Sequence, residues 1–382
     1  MITLANRLQS VQEYYFSRKL KEVQALVAQG HPVINMGIGS PDLPPHPSVQ
    51  QALVEALALP KAHEYQSYQG IPELRAGMRQ FYETQFNLAP DVPVDFLPLM
   101  GSKEGILHIA MAFLNPGDQV LLPNPGYPTY ASVTELVQAE AVYYDLQPEQ
   151  DWVPDFAALE ALDLSKVKMI FIGYPHMPTG APGSLELLQQ WVDFARKHQL
   201  LLINDNPYSF VLHHNPISIF NCDGAVEVAI ELNSLSKTFN MAGWRVGMTV
   251  GKPEFLDAVI KDKSNMDSGM FLGIQKGAVV ALALGTDWFD QQYKVYSKRR
   301  ELIWQLADLL GCTYDRKGVG LFVWAKLPEG SDAESLINEW LYHYHVFITP
   351  GIIFGSNGKG YIRFSLCVPE EKIKEVIQRF TT

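Results

Sequence analysis

Between Phe96 and Val250, short and nearly continuous apolar runs alternate with segments whose apolar residues recur every three or four positions. The runs are Phe96–Met100, Val120–Leu122, Ala141–Asp145, Val167–Ile172, Leu200–Asp205, Val226–Leu232 and Val246–Val250. Strands buried on both faces have this near-continuous apolarity, and the segments between them, such as Gly105–Phe113 and Leu185–His198, carry a helical period. Strand–helix alternation of this kind predicts an α/β fold, a large domain with a mostly parallel seven-stranded sheet covered on both faces. The pattern turns helical over Lys252–Leu284. A charged helix around Gln291–Leu310, a strand at Leu321–Ala325, a helix at Ala333–His343 and a last strand at Tyr361–Leu366 then predict a smaller α+β domain. The expected division is an N-terminal segment, residues 1–45, joining the small domain; a large domain, residues 46–285; and a small C-terminal domain, residues 286–382.

A chain of 382 residues is long enough for one large or two unequal cores, and 47% hydrophobic residues supply them. The formal charge of −11, with no block of like charges, argues against a broad nucleic-acid or anionic-membrane surface while leaving a local anion site open. Cys222, Cys312 and Cys367 are scattered and lack metal-ligand spacing, which points to a reducing compartment. The opening residues have no signal-peptide core and no window reaches membrane-spanning length, so a cytoplasmic protein without membrane or nucleic-acid partners is expected.

In doubly wound sheets ligands sit at the carboxyl ends of strands, so candidate chemistry belongs to the residues just past each predicted strand. Gly101–Gly105 (GSKEG) is a small-residue turn opening a helix, whose free N–H groups and dipole suit a phosphate. It lacks the spacing of a P-loop, and Gly37–Ser40 (GIGS) fails as a dinucleotide fingerprint because Pro41 and Asp42 follow. Other strand ends present Tyr127 on a Pro-Gly turn, then Asp205 with Tyr208, then Asn233–Gly247 (NSLSKTFNMAGWRVG) with Lys237. Singly these are ordinary: a solvated lysine, a turn aspartate, a packed tyrosine. Arg245, between Trp244 and Val246, is expected to be at least partly buried and so to need an anion.

Together they are specific. An amine forms a Schiff base, an acid keeps a ring nitrogen protonated, a phenol donates to a ring oxygen and an aromatic face stacks. Ser234, Ser236, Arg245 and a helix N-terminus bind a phosphate dianion. Pyridoxal phosphate requires all of these, and its electron-sink chemistry needs the protonated ring nitrogen that an ionised Asp205 maintains. Lys237 must be neutral to attack the aldehyde, and burial and Arg245 are both expected to depress its pKa.

The chain resembles the class I/II aminotransferases of fold type I. Nine motifs carry the resemblance in family order across nearly the whole length: YYFSRKL (Tyr14–Leu20), GIGSPDLP, YQSYQGIPELR (Tyr65–Arg75), GSKEG, PNPGYP, YPHMPTGA (Tyr174–Ala181), DNPY (Asp205–Tyr208), SLSKTFNMAGWRVG and PGIIFGSNGKGYIRFSL (Pro350–Leu366). GSKEG and SNMDSGMFLGIQ (Ser264–Gln275) make it most similar to the LL-diaminopimelate aminotransferase-like branch. The resemblance implies a homodimer with shared active sites and Lys237 as Schiff-base lysine and proton shuttle. Asp205 would sit on the ring nitrogen, Tyr208 on the ring oxygen and Tyr127 on the ring face. Gly101, Ser102, Lys103 (through backbone), Ser234, Ser236, Arg245 and the neighbour's Tyr65 would surround the phosphate. It further implies Arg363 as clamp for the substrate α-carboxylate with Gly39 assisting, and a specificity pocket from Tyr14, Tyr15, Phe16, Arg18, Tyr68, Asp267–Phe271 of a neighbouring chain and Met177.

Met177 departs from the family, which writes an asparagine there to bond the ring oxygen; a thioether cannot donate. His176 beside it is expected to be a structural turn residue. The expected reaction is reversible amino transfer between an amino acid and a 2-oxo acid. A carbon–sulfur β-lyase or a decarboxylase of the same fold, or a cofactor-binding protein without catalysis, are the alternatives.

Overall fold

The structure is a computed structural model and describes residues 2–8 and 15–381, the side chains of residues 6 and 15–17 excepted. After a two-residue strand β1 (Ile34–Asn35), the chain lays down β2 (Asp95–Leu99), β3 (Gln119–Asn124), β4 (Glu140–Asp145), β5 (Val167–Ile172), β6 (Leu201–Asp205), β7 (Ala229–Ser234) and β8 (Gly247–Gly251). Strands β2 to β8 form one seven-stranded sheet in the order β2-β8-β7-β6-β5-β3-β4. Neighbours run parallel except β8, which is antiparallel to both β2 and β7.

One face of the sheet packs Leu74, Phe81, Tyr82, Trp191 and Phe239; the other packs Ile106, Ile109, Val133 and Val259. Both faces are therefore apolar, which is why the strands read as continuous runs. Strand β7 starts only at Ala229, whereas the sequence predicts it from Val226; Ala225–Val228 is a helical turn. Its apolar residues fit a buried turn as well as a strand, and periodicity cannot separate the two over four residues. Lys252–Leu284 divides into helices Pro253–Lys263 and Leu272–Leu282, and the next helix begins at Thr286 rather than Gln291.

Strands β9 (Thr313–Tyr314), β10 (Phe322–Lys326), β11 (Val346–Phe347), β12 (Thr349–Pro350) and β13 (Tyr361–Ser365) follow. An antiparallel sheet in the order β12-β13-β10-β9 and a short parallel pair of β1 with β11 result. Val23, Ile34 and Met36 from the N-terminal part pack into the same core as Tyr296, Ile303, Ile337 and Phe364. The stretch after β1 is pinned there: Met36 N donates to Phe347 O, and Ser365 N donates to Met36 O. Arg299 then grips Asp42 through Nη1 and Nη2 at 2.6 and 2.9 Å, a bidentate pair. Gly37–Ser40 is thereby held beside the carboxyl ends of the large sheet.

A buried carboxylate fixes β7 itself. Glu231 is fully buried and accepts hydrogen bonds from Tyr82 Oη, Asn204 Nδ2, Ser218 Oγ and Ile219 N at 2.8–2.9 Å. Burial raises its pKa, and those donors work against the shift. The strand that delivers Ser234 and Lys237 is thus tied to β6 and to the loop after it.

Candidate active site

The carboxyl ends of β2, β3, β5, β6 and β7, with Gly39 and Arg363 above them, enclose a cavity of about 420 Å³. That lies within the roughly 300–1,000 Å³ of small-molecule and cofactor sites. Asp205 ends β6, is 7% exposed, and its Oδ2 accepts from Tyr130 Oη at 2.9 Å. Its Oδ1 is buried with no hydrogen-bond partner among the described residues. Burial pushes this carboxyl up to about 6, with the Tyr130 hydrogen bond opposing the rise.

Lys237 sits in the helical turn Leu235–Thr238 just past β7, and its Nζ donates to Gly39 O at 2.6 Å. Burial lowers its pKa foremost; the Arg363 and Arg245 cations add to the fall and Cys367 opposes it. Tyr208 and Tyr127 line the same cavity, and burial keeps both phenols protonated well past their ordinary range.

At the cavity's other end, helix Ser102–Phe113 starts at Gly101 without a side-chain cap. Gly101 has φ +94°, and a Cβ there would collide with the Arg245 guanidinium; a Cβ on Gly247 would lie 2.6 Å from Ser102 N. Both backbones therefore come close around one spot, which Ser102, Lys103, Ser234, Ser236 and Arg245 also line. Burial, then Arg245, lowers the Lys103 pKa. Arg245 corrects an expectation: it is exposed in this chain, not partly buried. Its own φ of +57° turns it to the cavity rim, where Nη1 donates to Ala242 O and Nη2 to Met100 O, at 2.9 and 3.4 Å.

Arg363 stands on the interior strand β13 and is 5% exposed. Its Nη2 donates to Gly37 O at 2.9 Å and its Nη1 lies 3.2 Å from Met177 Sδ. The guanidinium carbon is 3.8 Å from the Phe322 ring centroid and 4.7 Å from that of Phe354. Such stacking orients a weakly hydrated planar cation without consuming its donors. His176 hydrogen-bonds Thr179 within its turn, and burial lowers its pKa to about 3, so it is neutral there.

Among the residues singled out from the motifs, Gly39, Ser102, Lys103, Tyr127, Met177, Asp205, Tyr208, Ser234, Ser236, Lys237, Arg245 and Arg363 line this cavity. Tyr65 does not: it is 90% exposed. Tyr14 lies outside the described residues, as do the side chains of Tyr15 and Phe16. Tyr130, Phe322, Phe354, Leu20 and Ile38 also line the cavity and are new. Phe354 stands inside the PGIIFGSNGKG motif and Tyr130 three residues after Tyr127, but neither carries a local sign of its role.

A doubly wound sheet whose strand ends gather a lysine, an aspartate and an uncapped helix start beside an arginine, with a smaller antiparallel sheet contributing Arg363, defines a fold type I aminotransferase architecture. Residues 31–380 match the model of the aminotransferase class I and II family, and the chain belongs to that family, whose members depend on pyridoxal phosphate; it is an aminotransferase. It is 39% identical over 378 residues to an LL-diaminopimelate aminotransferase of Dehalococcoides mccartyi, covering 98% of this chain and 97% of that one. To the enzyme of that name from Oleidesulfovibrio alaskensis it is 36% identical, covering 100% and 99%. The substrate-bound BacF structure from Bacillus subtilis superposes with a TM-score of 0.94 at 32% identity, covering 99% of this chain and 97% of that one.

Proposed function

We propose that this aminotransferase moves an amino group between an amino acid and a 2-oxo acid with pyridoxal phosphate attached to Lys237. The observation that carries the assignment is Asp205, whose buried Oδ1 has no hydrogen-bond partner among the described residues, lining the same cavity as a lysine of depressed pKa. A protonated ring nitrogen is the donor that oxygen calls for. Gly101 and Gly247 leave backbone room for a phosphate between the uncapped helix start and Arg245. When bound, the cofactor supplies an electron sink for the substrate's Cα electrons.

The chain's own residues would do the rest. Arg363, its guanidinium in contact with the Phe322 and Phe354 rings, would fork onto the α-carboxylate and fix Cα near Lys237 Nζ. Lys237, neutral at working pH more readily than a solvated lysine, would take and return the Cα proton. Tyr208 would donate to the ring oxygen and Tyr127 would cover the ring face. Tyr65, Tyr68 and Phe271 are exposed apolar side chains that would suit contact with a second copy of the chain, with Tyr65 reaching the partner's phosphate site. The division would fall at residues 45 and 285; the packing of Val23, Ile34 and Met36 with Ile303 and Phe364 supports the first boundary, while Trp288, Trp324, Phe354 and Tyr361 pack into the large core across the second. A cytoplasmic setting agrees with three free, buried cysteines; among the described residues no helix is long and apolar enough to cross a membrane. LL-diaminopimelate, the substrate in the names of the relatives, is the first amino donor to try.

Borohydride treatment of the protein loaded with pyridoxal phosphate should fix the cofactor to Lys237, located by peptide mass. An amino donor alone should bleach the visible band and release one equivalent of oxo acid per site. Ammonia or pyruvate release from cysteine conjugates without bleaching would instead make it a lyase.

A further inference from the structure

Tyr130 lies in helix Pro128–Leu136, one turn past Tyr127, and is 6% exposed. Its ring stacks on Phe171 of β5 at 4.7 Å and 13°, and meets the Tyr127 ring edge-on at 5.5 Å. Its hydroxyl donates to Asp205 Oδ2 at 2.9 Å, and Oδ1 has no hydrogen-bond partner among the described residues. The two oxygens of this carboxylate, in a residue that lines the cavity, are therefore inequivalent: Oδ2 is tied to Tyr130, whereas Oδ1 is buried and has no such tie among those residues.

We propose that Tyr130 is a positioning residue for the cofactor's ring-nitrogen contact: by occupying Oδ2 it fixes the Asp205 carboxylate so that Oδ1 serves the ring, and it keeps that carboxylate ionised. The inference rests on the pyridoxal-phosphate reading given above. An aspartate at a strand end otherwise has a broad, roughly two-fold terminal torsion. Desolvation favours its protonated form, and a protonated Oδ1 could not accept from a pyridinium. A phenol suits the task because it donates to a carboxylate at neutral pH without carrying a charge of its own. Burial and the Asp205 charge push Tyr130 ionisation far above its ordinary value, so it stays a donor across the working range. The other titratable groups coupled to Asp205 are Tyr127, from the turn after β3, and Tyr208, from the loop after β6; both are held protonated, and Lys237 and Arg363 line the same cavity. The Tyr127–Tyr130 ring contact adds a second link, since the residue expected on the ring face rests on the one that aims the carboxylate.

The test is cofactor affinity against pH in the full-length apo-protein, read by visible absorbance, with pyridoxal phosphate and with phosphate-free pyridoxal so that the phosphate's own titration cancels. Tyr130→Phe keeps the stack on Phe171. It should weaken binding about threefold or more at pH 8, because the carboxylate is no longer ordered before the ring arrives. Its acid limb should also move upward by about one pH unit, because Asp205 protonates sooner. In an Asp205→Asn background Tyr130→Phe should leave the pH profile unchanged. An affinity loss equal at every pH, with the limb unmoved, would make Tyr130 a packing residue and overturn the proposal. If Tyr130→Phe does not fold, 4-aminophenylalanine at position 130, a weaker donor of the same shape, must shift the limb in the same direction, and an unmoved limb sinks the idea. Failure of the wild-type chain to bind either probe would instead refute the cofactor reading, a separate outcome.

Discussion

The sulfur of Met177 lies 3.2 Å from Nη1 of Arg363, so one side chain borders both the expected carboxylate clamp and the expected position of the ring oxygen. A thioether accepts weakly and donates nothing. Tyr208 is then left as the side chain expected to donate to the ring oxygen. Met177→Asn supplies an amide donor. In the protein loaded with pyridoxal phosphate, the pH midpoint of the visible band should fall by about one unit or less, the worth of one ordinary hydrogen bond. A spectral titration identical to wild type would dismiss this view of Met177.

Asp205 makes stability and cofactor binding pull in opposite directions. Its carboxyl titrates at about 6 in the fold, against a reference of 3.8. The folded state thus holds the proton more tightly than the unfolded chain, and ionising the group opposes folding. The penalty is absent below about pH 4 and complete above about pH 6, where it amounts to about 3 kcal/mol. Asp205→Asn should therefore stabilise the apo-protein at pH 8 by up to that amount, gain little at pH 4, and weaken cofactor binding tenfold or more. Denaturant melts at the two pH values and one binding titration check all three; an apo-protein destabilised at pH 8 contradicts the sign.

Much of this was readable in the sequence because local and tertiary demands coincide. Strand Val167–Ile172 and helices Leu185–His198 and Ala333–His343 have the predicted bounds, each helix opened by a capping Ser184 or Asp332. What escaped has physical reasons. Ile34–Asn35 and Thr349–Pro350 are strands of two residues, too short for any period. Glu231 interrupts an apolar run, yet its four partners come from sites distant in sequence, so nothing local marks it. Tyr130 is likewise defined by Asp205, 75 positions away. Arg245 shows the reverse error: apolar neighbours suggested burial, but a left-handed backbone turns it to the rim. Most of the motif residues line one cavity, whereas Tyr65 is exposed outside it.

Gly101 allows the proposed phosphate recognition to be tested apart from recognition of the ring. Its φ of +94° with ψ of 149° is a conformation that other residues strain to adopt, and a Cβ would press on Arg245. Gly101→Ala should cost about 1–3 kcal/mol of stability and displace the guanidinium from Met100 O. Affinity for pyridoxal phosphate should fall while that for phosphate-free pyridoxal changes little. Equal losses for the two ligands in paired titrations would remove this spot as the phosphate cradle.

Glu231 offers a prediction about the frame rather than the site. Four donors converge on its carboxylate from Tyr82, Asn204, Ser218 and the Ile219 backbone, and Asn233 Nδ2 adds a 3.3 Å bond to Tyr82 Oη. Glu231→Ala strands those donors in a dry interior, which should cost about 3–5 kcal/mol in a denaturant melt. Glu231→Gln keeps the size but turns an N–H₂ toward groups that also donate, so it should recover part of the loss and not all of it. Because Asn204 precedes Asp205 and β7 carries Ser234 into the Lys237 turn, both variants should also release cofactor more readily at temperatures where they are still folded. A Glu231→Ala protein within about 1 kcal/mol of wild type would mean that water or repacking satisfies the donors, and that β7 is held by its apolar contacts alone.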